Sequence, residues 1–216
     1  MTQKRNERKS AETKKLTLRE GAILVTTARE AITNYIEKKV VIKPPSSNQH
    51  LERKSGVFVT LNMYKTHTLR GCIGFPYPDQ PLIEATVKAA IYAATEDPRF
   101  EPVPIEEFKS SIVIELTALT PPQSLKAAVR KELPELIEIG RHGLIVEGMR
   151  SSGLLLPQVA VEWQWDGADF LTNCCLKAGL PPDSWLLNEI TVKVFEGEIF
   201  EETEPAGEVK KRSFGR

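Results

Sequence analysis

Cysteine is scarce in this 216-residue chain: Cys72, Cys174 and Cys175 are the only three, an odd number without framework spacing. That pattern excludes a secreted disulfide scaffold and predicts reduced thiols in a cytoplasmic protein. Long apolar runs are missing as well. None approaches the roughly 18 residues of a membrane span, and no apolar segment follows the charged N-terminus as a signal peptide would require. Histidine is limited to three residues, and neither C-x-x-C nor H-E-x-x-H occurs, so no metal site and no cofactor is assigned. The phosphate-cradling G-x-x-x-x-G-K-[ST], the dinucleotide G-x-G-x-x-G and the hydrolase G-x-S-x-G are absent too, which removes the readily legible nucleotide-binding and hydrolase classes.

What is present is an ordinary globular composition, 41% hydrophobic and 27% charged, sufficient for one large domain or two small lobes. The net charge of zero conceals an uneven distribution. Residues 1–15 carry six Lys/Arg against two Glu, residues 205–216 carry four against one, and the body between holds 19 basic and 26 acidic residues. An acidic body is a poor nucleic-acid surface, so nucleic acid and membrane are not expected as partners. The reading is a disordered basic tail over 1–15, a single domain over 16–202 and a charged C-terminal tail over 203–216.

Thr17 and Glu20 stand at capping-box spacing ahead of Leu24, Ala28, Ala31, Ile32 and Tyr35, which share one helical face. Alternation through Val57, Val59, Leu61 and Met63, then the turn KTHT, then Leu69 and Ile73, predicts a β-hairpin. Ile83, Val87, Ala90, Ile91 and Ala94 return to helical register until Pro98. Further on, SSIVIELTAL reads as a strand, ELPELIEIG as a short helix stopped at Gly140, and GLIVEGMRSSGLLLP as a hairpin turning at Arg150 to Gly153. WDGADFLTNCCLKAGLP reads as a helix between an Asp166 cap and Gly179, with one of the adjacent cysteines packed into the core. NEITVKVFEGEIFEE reads as one last strand. Hairpins interrupted by helices, without regular β-α-β alternation, place the chain in the α+β class, mainly antiparallel sheet with flanking helices. If the chain forms two lobes, their hinge is expected near Thr120 to Ser124.

The stretch HTLRGCIGF concentrates the chemistry. A nucleophilic thiol needs a cation, a base or a helix N-terminus to lower its pKa, and Arg70 is the nearest cation to Cys72. Strand alternation puts Arg70 and Cys72 on one face. Gly71 and Gly74 allow close backbone approach or positive φ and so exposed N–H groups for an anion. The bare spacing favours Cys72 as a small packing residue, because glycines also mark crowded strand ends. His142, between glycines at a turn, and Glu162 are the candidate bases. Arg99, in EDPRFEPV, is placed either to pair with a carboxylate or to meet a ligand.

Five segments in this order, LRGCIG at 69–74, DPRFEPV at 97–103, HGLIVE at 142–147, GLLLPQVA at 153–160 and WD at 165–166, resemble the AMMECR family. This is the family of the AMME syndrome candidate-gene protein and its archaeal and bacterial relatives, and the resemblance runs over residues 16–202. It implies an α+β fold of two unequal parts with LRGCIG facing a cleft, and it supplies no reaction. It also implies association with Memo-like and radical-SAM proteins, whose microbial genes accompany those of the family. Two functions follow as expectations, with RNA binding through the basic tails a third that ranks well behind them. One is an enzyme or enzyme subunit using the Cys72 thiol with His142 or Glu162 as base. The other is a non-catalytic module binding a small molecule or peptide through Arg70, Gly71, Gly74 and Arg99.

Overall fold

In the computed structural model, residues 15–44, 49–148 and 150–212 are described. Nearly all of the expected basic tail, and the last four residues, lie outside them.

Helix α1 (Leu18–Lys38) starts where the capping box predicts: Glu20 N donates to the Thr17 hydroxyl at 3.2 Å, and the Glu20 carboxylate accepts from Thr17 N at 2.8 Å. A short turn, α2 (Gln49–Glu52), leads into the hairpin of β1 (Val57–Met63) and β2 (Leu69–Phe75). Helix α3 (Leu82–Thr95) follows, then α4 (Ile105–Ser111), then β3 (Ile112–Leu119). Sequence periodicity had not indicated α4. Its seven residues begin after Pro104, whose fixed φ suits a helix start.

Beyond β3 the chain leaves the first sheet. Strand β4 (Gln123–Ser124), a 3₁₀ segment at Arg130–Leu136, the hairpin β5 (Gly143–Gly148) and β6 (Ser151–Leu155), α5 (Pro157–Glu162) and α6 (Gly167–Lys177) build a second lobe. The expected short helix before Gly140 is thus 3₁₀. The β5–β6 turn falls earlier than expected, since Gly148 already pairs with Ser151.

The expected last strand is two strands in two different sheets. Strand β7 (Thr191–Phe195) pairs with β4 and β5 in a four-stranded sheet ordered β4-β7-β5-β6. After Glu196 the chain crosses back, and β8 (Gly197–Glu202) joins a five-stranded sheet ordered β2-β1-β3-β8-β9. Alternation continues through the crossing, so local pattern cannot reveal it. The two crossings are tied to each other: Thr120 N donates to Glu196 O and Glu196 N to the Thr120 hydroxyl, both at 2.8 Å. The C-terminal segment, expected as a charged tail, carries β9 (Val209–Arg212) paired to β8.

Helices α1 and α3 cover one face of the five-stranded sheet. Leu24, Ala28 and Ile32 pack with Val57, Val59, Leu61, Ile114, Leu116 and Phe200 in the main core. The second core gathers Leu144, Val146, Phe170, Leu171, Val192 and both Cys174 and Cys175. Both cysteines are buried, rather than one, because α6 is covered on two sides. Cys174 donates toward Leu144 O and Gly153 O of the β5–β6 hairpin, while Cys175 lies in the same cluster as Trp185.

Candidate functional site

Strand β2, which carries LRGCIG, is an edge strand, so every second backbone group on its outer side lacks a ladder partner. The DPRF segment supplies them at Cys72. Asp97 Oδ2 accepts from Cys72 N at 2.8 Å, and Arg99 Nη2 donates to Cys72 O at 3.3 Å. The same Asp97 carboxylate is gripped by Arg99 Nε at 2.9 Å, Arg99 Nη2 at 2.7 Å and Arg99 N at 3.1 Å. These hydrogen bonds from the Arg99 guanidinium hold the buried Asp97 carboxyl well below the usual carboxylate range. Arg99 therefore pairs with a carboxylate, and the pair latches the Cys72 peptide to the end of α3.

The two glycines are demanded by packing, not by positive φ. A Cβ on Gly71 would lie 2.1 Å from Ala93 O of α3, and one on Gly74 would lie 2.2 Å from the Phe58 ring. Gly71 thus lets the hairpin press against α3, and Gly74 makes room for an aromatic ring on the opposite face.

That opposite face, away from α1 and α3, presents a row of paired residues. Cys72 stands beside Thr60, Thr60 beside Glu115, Glu115 beside Glu201 and Glu201 beside Lys210. Thr60 Oγ1 donates to Cys72 Sγ at 3.3 Å. Burial pushes the half-buried Cys72 thiol up from its ordinary value, outweighing the Thr60 hydrogen bond and the Arg99 charge that favour the thiolate. Burial also raises Glu115, although Arg212 makes an ion pair with it. Arg212 reaches Glu201 as well, at 3.4 Å. Lying one strand position beyond Thr60, Glu115 acts electrostatically on the thiol. It was legible in principle: in IVIELTAL it is the single charge in an apolar strand. Thr60 and Asp97 were also missed as members of the site.

The remaining expected residues sit elsewhere. The β1–β2 register skips Arg70, so the alternation that placed it on the Cys72 face is broken by a bulge. Arg70 instead holds Glu107 of α4, at 2.9 and 3.3 Å, and Glu101 O at 2.8 Å. In the second lobe, His142 accepts from Glu138 N through Nδ1 at 3.1 Å, and burial lowers its pKa. Glu162 is exposed at the end of α5. Neither is recorded in contact with Cys72. Two cavities are described, of about 400 and 320 Å³, and Cys72 lines neither.

Comparison with known proteins shows what the chain is similar to. The family profile described as AMMECR1 matches residues 25–200. The chain belongs to the AMMECR1 family. It is 55% identical over 200 residues to Protein MK0488 of Methanopyrus kandleri, covering 92% of this chain and 96% of that one. It is 51% identical over 196 residues to Protein PH0010 of Pyrococcus horikoshii, covering 89% and 94% of the two chains. The crystal structure of PH0010, described as an uncharacterized protein, superposes with a TM-score of 0.80 at 50% identity over 90% of this chain and 97% of that one.

In this AMMECR1 domain, then, LRGCIG and DPRF are two halves of one device, a strand and its latch. Among the described residues no helix is long and apolar enough to cross a membrane.

Proposed function

We propose that this AMMECR1 domain is a binding module, and that its contact surface is the face of the five-stranded sheet bearing Cys72, Thr60 and Glu115. One observation carries the reading: the side chains of Asp97 and Arg99 close the outer edge of β2 at Cys72 and fix the backbone there, while Cys72, Thr60 and Glu115 stay partly exposed on the sheet face. A fixed strand costs little further ordering when a small molecule or peptide docks. The thiol fits the role of a neutral contact, because burial favours its protonated form and Thr60 donates to it. Arg70 and Arg99 then serve the scaffold through Glu107 and Asp97, and the ligand meets Cys72, Thr60 and Glu115. The Memo-like and radical-SAM proteins that the family resemblance implies are the protein partners to test first, by co-purification with the Cys72→Arg variant as control.

A catalytic reading rests on a different observation. Thr60 lies between Cys72 and Glu115, whose pKa values burial raises, so a bound substrate that stripped water from this row would lie against a thiol and a carboxyl that flank one threonine. The two readings part on the alkylation rate of Cys72 against pH, followed by peptide mass spectrometry. The binding module predicts slow reaction with an apparent pKa above the ~8.5 of a free thiol, and ligand affinity that survives Cys72→Ser. A fast reaction that saturates below that value would refute it and favour catalysis. Cys174 is the internal reference: burial pushes it up to about 12, so it stays unmodified until the protein unfolds.

A further inference from the structure

The seam where the chain passes between its two sheets holds a cavity of about 320 Å³, within the range of small-ligand sites. Four cations line it, Lys15, Arg141, Lys211 and Arg212, against two carboxylates, Glu196 and Glu198. The carboxylates act as internal fasteners. Glu196, the crossing residue itself, accepts from Arg141 at 2.9 Å and stands 3.7 Å from Lys15. Glu198 is buried and takes Lys211 at 2.6 Å together with Leu16 N at 2.9 Å.

The cations are not exhausted by these contacts. Lys15 has only the 3.7 Å approach to Glu196 recorded among the described residues, too long for a hydrogen bond. Lys211 spends two of an ammonium's three donors, on Leu16 O and Glu198. Arg141 spends two of a guanidinium's five, on Glu138 and Glu196. The unspent donors come from three separate segments: the approach to α1, the turn before β5 and the edge strand β9. Donors brought to one cavity from several segments suit a tetrahedral oxyanion, whereas a planar carboxylate is satisfied by a single fork.

We infer that this seam cavity is a binding site for a small molecule carrying a phosphate or diphosphate group. Arg141 contributes from the smaller lobe, and Lys15 and Lys211 from the side of the larger sheet, where Arg212 lines the wall while paired with Glu115 and Glu201. An anion held between them braces the two lobes at the crossing where Thr120 and Glu196 are tied. The site is separate from the Cys72 face, and only Arg212 touches both, through Glu115 and Glu201.

The test is calorimetric titration of the full chain with inorganic pyrophosphate at low ionic strength, with Arg141→Gln and Lys15→Gln alongside. The expected result is one saturable site per chain and a rise in Tm on binding. Each charge removed should weaken affinity, Arg141→Gln by roughly tenfold, and added salt should weaken the wild type. Both positions are about half exposed or more, and an unchanged circular dichroism spectrum verifies that each variant folds. Absence of saturation up to 10 mM pyrophosphate (about 2.7 kcal/mol of binding free energy), or equal affinity in wild type and both variants, would overturn the assignment. Acetate binding as tightly as pyrophosphate would overturn the phosphate class. An oligonucleotide binding more tightly than pyrophosphate, with the same dependence on Arg141, would overturn the small-molecule class.

Discussion

Removing the Asp97 carboxylate isolates the latch on the Cys72 strand. In Asp97→Ala, Cys72 N and Arg99 N both lose their acceptor, and the Arg99 guanidinium loses its counterion. A backbone N–H bonded to a carboxylate contributes about 1.5–3 kcal/mol, and the Arg99 side chain, half exposed, adds under about 1 kcal/mol. The expected loss is therefore about 3 kcal/mol, or roughly 6–12 °C in Tm for a domain of this size. Asp97→Asn keeps an oxygen for Cys72 N and should lose about half as much. The pH dependence has a definite sign. Because the folded pKa lies below the unfolded value of about 3.9, the contribution is fully present above that value and fades as pH falls from about 4 toward the folded pKa. Urea denaturation of wild type and both variants between pH 7 and pH 3 reads all of this, and the gap should narrow below pH 4. Amide exchange at Cys72 should accelerate in the alanine variant under native conditions. A loss below about 1 kcal/mol at pH 7, with Cys72 still protected, would show the latch to be an ordinary surface ion pair and remove the basis for a preorganised strand.

Two further perturbations probe the frame around the site. Gly71→Ala drives a Cβ into the Ala93 carbonyl of α3 and should cost about 3 kcal/mol or more, whereas Gly74→Ala meets a Phe58 ring that can turn aside and should cost about 1–2 kcal/mol; equal losses on thermal melting would contradict the packing argument. Glu202→Gln removes the buried partner of Arg29, bonded at 2.5 Å through both Nε and Nη2, and weakens the acceptor for Ile114 N, so it should cost about 3–5 kcal/mol. A chemical-denaturation loss under about 1 kcal/mol would mean that Arg29 is held by the Ile112 carbonyl and the Phe108 ring instead.

Much of the fold could be read locally, because capping, periodicity and turn chemistry act over a few residues. The capping box at Thr17 and Glu20, the β1–β2 hairpin, the Asp166 cap of α6 and its stop at Gly179 are all of this kind. Helices α4 and α5 escaped because each is short and starts just after or at a proline, Pro104 or Pro157, a residue that in sequence reads as a break. The site was half legible. Cys72, its glycines and Arg99 were singled out by residue type, but a bulge at Arg70 is a property of strand pairing and leaves no mark in the alternation.

By itself the sequence determined the α+β class, the positions of the main helices and hairpins, and the family, since five short segments in fixed order survive any uncertainty about folding. Tertiary structure alone decided which segments meet. It brought Asp97 to the backbone of Cys72, set Glu115 two strands from the thiol, and sent β7 and β8 into different sheets. Those contacts join residues at least 25 positions apart, and such pairings depend on how whole layers pack, a constraint that no local pattern of residues carries.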